Sequence, residues 1–251
     1  MGRLDGRVAI VTGAGRGIGV HYAKALAEEG ARVCCSDILD TENTVNIIRQ
    51  AGGEAIGNRC DVTDPEQVRA MVAETVGAFG KVDIMVTNAA IFADLQQRSF
   101  LEIPEEEWDR VMAVNTRGVF SCVKAVVPEM QKNGYGKIIN IASGTVFKGT
   151  PMMLHYVSSK GAMVAFTRSL SRELGEHNIS VNAIAPGLTM SERLVNDRQW
   201  TDIKDANAQT RAIKRDEVPE DLIGTLVYLS SSDSDFVTGQ TIVVDGGSAM
   251  H

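Results

Sequence analysis

Tyr156 and Lys160 stand four residues apart at the start of a stretch that reads as a helix, with Ala162, Phe166, Leu170 and Leu174 as its buried face. That spacing puts a phenol and an ammonium on one side of the helix. A nearby ammonium favours the phenolate and lowers a tyrosine pKa from its reference of about 10. Bringing the phenol near neutrality takes on the order of 4 kcal/mol, attainable for a partly desolvated pair. Tyr156 would then remove a proton from an alcohol or donate one to a carbonyl. A bare Tyr-x-x-x-Lys is usually a surface helix pair. Here Ser143 lies thirteen residues upstream, a hydroxyl able to hold the substrate oxygen, and a nucleotide-type loop opens the chain.

That loop is Thr12-Gly13-Ala14-Gly15-Arg16-Gly17-Ile18-Gly19. Glycines permit a tight turn and bring backbone N–H groups to a pyrophosphate at the positive end of the following helix. The loop follows an apolar run and opens an amphipathic stretch, the context this fingerprint requires. Asp37 lies 18 residues past Gly19, at the end of the next strand-like run. A carboxylate there accepts the adenosine ribose hydroxyls and repels a 2′-phosphate. No Lys or Arg follows until Arg49, so the expected cofactor is NAD, with Arg16 as the one basic residue that speaks for NADP.

The elements that must position these groups alternate along the chain. Strands are expected at Val8–Thr12, Arg32–Asp37, Ala55–Cys60, Val82–Thr87, Lys137–Ala142, Ser180–Ile184 and Thr241–Val244, several of them continuous apolar runs. Between them lie helical stretches. In one, Asp64-Pro65-Glu66-Gln67 is a start signal for a face of Val68, Met71, Val72, Val76 and Phe79. Pro219 opens another, with Leu222, Ile223, Leu226 and Leu229 as its stripe. The alternation specifies an α/β fold, a single doubly wound domain over residues 1–251 with a parallel sheet and helices on both faces. In such a sheet ligands bind beyond the carboxyl ends of the strands. There the sequence places the glycine loop, Asp37, Asp61-Val62, Asn88-Ala89-Ala90, Ser143 and Pro186-Gly187. Residues 188–217 run without a strand and hold Trp200, which reads as a substrate-binding lid.

The combination of Thr-Gly-x-x-x-Gly-x-Gly, Asn88-Ala89, Ser143 and Tyr156-x-x-x-Lys160 resembles the classical short-chain dehydrogenase/reductase family from about Gly6 to Gly247. The resemblance implies a Rossmann-type seven-stranded fold, hydride transfer to or from a nicotinamide, and a catalytic set of Asn115, Ser143, Tyr156 and Lys160. It implies that Lys160 also holds the nicotinamide ribose, and that Asn115 holds a water that relays protons to it. Cofactor contacts would come from Gly13, Arg16, Gly17, Ile18, Gly19, Asp37, Asp61, Val62, Asn88, Ala89, Ala90, Tyr156, Lys160, Pro186 and Gly187. The family usually places a threonine five residues beyond the proline to bind the carboxamide. This chain has Ser191 there and Thr189 two earlier, and either hydroxyl can serve.

Composition narrows the partners. Hydrophobic residues make up 44% and charged residues 23% of 251, with a net charge of −7, which suits a globular protein and argues against a nucleic-acid surface. No apolar stretch is long enough to span a bilayer and no signal peptide precedes the first strand, so the expected location is the cytoplasm. Cys34, Cys35, Cys60 and Cys122 lack metal-ligand spacing and read as buried thiols, and no histidine suggests a metal. His155 reads as lining the pocket or the surface. The turn at Gly149-Thr150-Pro151-Met152 and the C-terminal residues look like a subgroup that oxidises aromatic alcohols, with 1-phenylethanol dehydrogenase and pyridoxal 4-dehydrogenase as members. The expected substrate is a small to medium, mostly apolar or aromatic alcohol or ketone. One alternative is a 3-oxoacyl-carrier-protein reductase using NADPH, and another is a non-catalytic nucleotide-binding regulatory protein. A homotetramer is expected. The edge strand Thr241–Val244 needs covering, and the helical stretches near 104–132 and 156–176 carry surplus apolar residues: Val119, Phe120, Val123, Val126, Val127, Met163 and Phe166. The tail Ser248-Ala249-Met250-His251 reads equally as an arm that reaches a neighbouring subunit's pocket and as a solvated end.

Overall fold

Continuous apolar runs flanked by turn residues become seven parallel strands in the order β3-β2-β1-β4-β5-β6-β7 in the computed structural model, which describes residues 2–250. They are β1 (Val8–Thr12), β2 (Arg32–Asp37), β3 (Ala55–Arg59), β4 (Ile84–Thr87), β5 (Gly136–Ile141), β6 (Ile179–Pro186) and β7 (Thr241–Val244). Each lies within two residues of its expected bounds. The order reverses between β1 and β4, and the crevice outside their carboxyl ends is where such sheets bind ligands.

Helices cover both faces. They are α1 (Ile18–Glu28), α2 (Glu42–Gln50), α3 (Pro65–Phe79), α4 (Glu105–Met112), α5 (Val119–Asn133), α6 (Thr145–Lys148), α7 (Leu154–Leu174), α8 (Arg198–Thr210) and α9 (Glu220–Ser230). One core joins the sheet to α3, α5 and α7, through residues such as Met71, Val126 and Met163. The other joins it to α1, α2 and α9, through Tyr22, Ile48 and Leu226. Cys34 enters the first core and its neighbour Cys35 the second, as alternation along a strand requires. All four cysteines are free and buried. Burying one large apolar side chain contributes roughly 1.5–3 kcal/mol, against under about 1 kcal/mol for an exposed ion pair, so the cores decide the fold.

Local signals act as the residues dictate. Asp64 caps α3, accepting the N–H groups of Glu66 (2.9 Å) and Gln67 (3.4 Å), and the Gln67 amide donates back to its carboxylate at 2.8 Å. Asn115 lies in a π-helical segment, Ala113–Gly118, that splits α4 from α5.

Two expectations need correction. The buried face of α7 runs through Ser159, Lys160, Met163, Thr167, Ser171 and Leu174, while Ala162, Phe166 and Leu170 are only partly buried. A pure apolar periodicity missed this because small polar residues line that face. The surplus apolar positions are fewer than expected: Val119, Val123, Val126 and Met163 pack inside the chain's own core, and Phe120 is exposed. Residues 188–217 hold a helix of their own, α8, and a single bridge pairs Thr189 with Glu217. His251, the end of that tail, lies outside the described residues, while Ser248 and Ala249 donate their N–H groups to Asp245 of the same chain. Among the described residues no helix is long and apolar enough to cross a membrane.

Candidate active site

The carboxyl ends of the strands open into a cavity of about 680 Å³. It is lined by Gly13, Arg16, Gly17, Ile18, Asp37, Asp61, Val62, Asn88, Ala89 and Ala90 on one side, and by Ser143, Tyr156, Lys160, Pro186, Gly187, Thr189 and Ser191 on the other. Two expected site residues stand behind its wall. Gly19 packs against the Gly13 carbonyl, and a side chain there would drive α1 off the loop. Asn115 is fully buried. Its carbonyl oxygen accepts the Ile91 N–H at 2.8 Å, and its amide donates to Ile91 O (3.2 Å) and Ser159 Oγ (3.0 Å). The side chain thus ties the β4 loop to α7 one layer beneath Tyr156.

The glycine loop is shaped to receive an anion. Gly17 has φ 61, a left-handed conformation costly for any other residue, and directly precedes α1. Its N–H donates to the Glu192 carboxylate at 2.7 Å, so an oxyanion from the long connection after β6 already sits on this N–H. Asp37 is held in place by the N–H groups of Gly15 and Leu39, both at 2.9 Å. The expectation that no base stands near Asp37 is corrected by topology: the β2–β3 register sets Arg59 opposite it. The Arg59 guanidinium donates to Ile38 O at 3.2 Å. Arg16 pairs with Asp94 at 3.0 Å, which Arg193 from the far side also engages.

Tyr156 and Lys160 share the inward face of α7 and are both buried. Lys160 Nζ lies 5.9 Å from the Tyr156 ring centroid and donates to Ile141 O at 2.7 Å. Burial pushes the phenol up to about 12, with the Ser143 hydroxyl beside it acting the other way. Burial also brings the Lys160 ammonium down to about 8. The expected lowering of the tyrosine pKa by its lysine is therefore not what the protein alone provides. Desolvation outweighs an ammonium already turned to a carbonyl.

Around the phenol the wall is apolar and aromatic. The Phe92 ring lies tilted against Tyr156 at 4.8 Å and against Trp200 at 4.6 Å (centroid distances). Trp200 donates its indole N–H to Ala93 O at 3.3 Å, so α8 is docked on the β4 loop. Leu95, Val111, Met153, Met190 and Leu194 complete the buried part of this cluster.

Geometry also separates the two candidate hydroxyls. Thr189 Oγ1 donates to Glu217 Oε1 at 2.7 Å, while Ser191 Oγ lies beside Gly17 with no hydrogen bond to a described residue. Sequence reasoning missed Glu192, Glu217 and Arg59. Adjacency to Ser191 was a usable signal for Glu192, and for Arg59 only the strand register reveals it.

A family model described as enoyl-(acyl carrier protein) reductase matches residues 13–249. The chain is 41% identical over 249 residues to the short-chain reductase protein NovJ of Streptomyces niveus, covering 96% of this chain and 93% of that one. It is 36% identical over 245 residues to the 3-oxoacyl-(acyl-carrier-protein) reductase FabG of Staphylococcus epidermidis, covering 96% and 98%. A solved short-chain type dehydrogenase/reductase from Mycobacterium marinum superposes with a TM-score of 0.90 at 35% identity, over 98% of this chain and 96% of that one. With its Rossmann-like sheet and the cavity at the strand ends, the chain belongs to the short-chain dehydrogenase/reductase family of oxidoreductases.

Proposed function

We propose that the protein is an NAD-dependent dehydrogenase or carbonyl reductase acting on a small to medium, mostly apolar or aromatic alcohol or ketone. The observation that carries this reading is the placement of the Tyr156 phenol, with Ser143 and Lys160, in the cavity that the glycine loop opens. The residues fit a nicotinamide dinucleotide: Gly17 N–H already holds an oxyanion, Asp37 stands where a ribose would lie, and Ser191 Oγ is available beside the loop. The bound nicotinamide supplies a hydride acceptor or donor. Ser143 holds the substrate oxygen, Tyr156 removes the alcohol proton or returns it to the carbonyl, and Lys160 anchors the nicotinamide ribose. Asn115 fixes the backbone behind Tyr156, and the aromatic wall of Phe92 and Trp200 favours an apolar substrate. Residues 188–217 form the substrate-binding lid of a single catalytic domain.

The kinship with FabG and the position of Arg59 beside Asp37 favour a second reading, a 3-oxoacyl-carrier-protein reductase that uses NADPH. A panel of aromatic and aliphatic alcohols, ketones and 3-oxoacyl thioesters, run with NAD(H) and NADP(H) and followed at the reduced-nicotinamide absorbance, separates the two. A tenfold or greater preference for NADPH with a 3-oxoacyl thioester overturns the first. A homotetramer of this 27.0 kDa chain is part of the reading, and light scattering at micromolar concentration tests it.

A further inference from the structure

Glu217 ends the long connection after β6, yet its side chain reaches back to where that connection begins. One carboxylate oxygen accepts Thr189 Oγ1 at 2.7 Å and the Gly187 N–H at 3.2 Å, a donor shared with Val244 O at 3.0 Å. The other faces Arg211 at 3.5 Å, and Arg211 donates to Leu188 O at 2.9 Å. Backbone joins the same points, since Met190 N–H donates to Glu217 O at 2.7 Å. A side chain at Gly187 would collide with the Glu217 carboxylate and with Asp245. Glu217 and Arg211 are both buried, at 4% and 3% exposure, so this is an ion pair within the fold rather than on its surface. The turn they brace carries Gly187, Thr189 and Ser191 into the cavity.

We propose that Glu217 is a positioning residue for the nucleotide: it fixes the turn Pro186–Ser191, takes the Thr189 hydroxyl proton in a hydrogen bond, and so leaves Ser191 as the hydroxyl free to donate to the cofactor. The inference rests on the cofactor reading above. Burial raises the Glu217 carboxyl to about 7, against the pull of Thr189, Arg211 and the Gly187 N–H. The charged and titratable groups around it are Arg211 and Arg215 from the same connection, Asp245 after β7, Lys148 of α6 and the Tyr22 phenol of α1. When ionised, Glu217 offers two acceptor oxygens and pairs with Arg211; when protonated, it loses the charge pair and one acceptor. The brace therefore tightens as pH rises through neutrality.

The test compares wild type, Glu217→Gln and Glu217→Ala by NADH titration from pH 6 to 8.5, and by amide hydrogen exchange over residues 187–191 without added nucleotide. Wild-type affinity for NADH should rise with pH around 7, and Glu217→Gln should remove that rise while retaining affinity better than Glu217→Ala. Glu217→Ala should weaken NADH at least about tenfold and speed exchange in the turn. An unchanged pH dependence in Glu217→Gln, or wild-type affinity and exchange in Glu217→Ala, would overturn the role. If Glu217→Ala does not fold, the pH dependence of Glu217→Gln decides alone. A wild type that binds no reduced nicotinamide overturns the cofactor reading instead, and the exchange comparison then judges the brace.

Discussion

The Glu192 carboxylate accepts the Gly17 N–H at 2.7 Å, while its second oxygen lies 3.7 Å from His21 Nε2. A side chain from the connection after β6 thus sits where the first turn of α1 attracts anions. A pyrophosphate binding there must displace it. Glu192→Gln should therefore bind NADH more tightly, by about threefold, because a partly exposed charge-assisted contact is worth under about 1 kcal/mol. Hydrogen exchange in residues 192–197 should also slow when NADH and a substrate analogue are added, as the proposed lid requires. Weaker NADH binding by the glutamine variant would show that Glu192 assists the cofactor rather than competes with it.

Asp37 holds the N–H groups of Gly15 and Leu39 and faces the cavity. Its replacement by alanine removes a charged acceptor for the ribose hydroxyls and relieves repulsion of a 2′-phosphate. NAD affinity should fall about tenfold or more, and NADP affinity much less, in paired titrations. Equal losses for the two would reduce Asp37 to a support for the loop.

Lys160 places an ammonium in a site that disfavours charge, and its pKa falls to about 8 through burial. The folded pKa lies below the unfolded one, so the fold binds fewer protons between about pH 8 and 10.5. Stability therefore drops as pH falls through that window and stays low below it. Lys160→Met should stabilise the fold at pH 7, by up to about 3 kcal/mol less the lost bond to Ile141 O, and by much less near pH 10. Urea unfolding at both pH values checks this. A destabilised variant at pH 7 would mean that the partners of the ammonium outweigh its desolvation.

Much of the fold was legible because each parallel strand is covered on both faces and so reads as an apolar run, as Val8–Thr12 shows. The site residues were legible where they sit at strand ends, from Gly13 to Pro186. What escaped depends on contacts between distant parts of the chain. Glu217 meets Gly187 across thirty residues, and strand register alone sets Arg59 opposite Asp37. The pKa of Tyr156 escaped for a different reason: spacing places Lys160 on the same face, but the fold turns its ammonium to Ile141 O. The face of α7 was misassigned because Ser159, Thr167 and Ser171 are buried polar residues, which an apolar pattern passes over.

The proton role of Tyr156 is tested most directly by Tyr156→Phe, which removes one hydroxyl from a ring packed against Phe92 and leaves the apolar packing in place. Single-turnover rates and NADH binding should be measured on the same preparations. Since burial, opposed by the Ser143 hydroxyl, holds the phenol at about 12, wild-type alcohol oxidation should rise with pH as phenolate is populated, and carbonyl reduction should not. Tyr156→Phe should lose roughly a hundredfold to ten-thousandfold in turnover, lose the pH dependence of oxidation, and bind NADH within about threefold of wild type. Near-normal turnover by the phenylalanine enzyme would contradict the proposed chemistry.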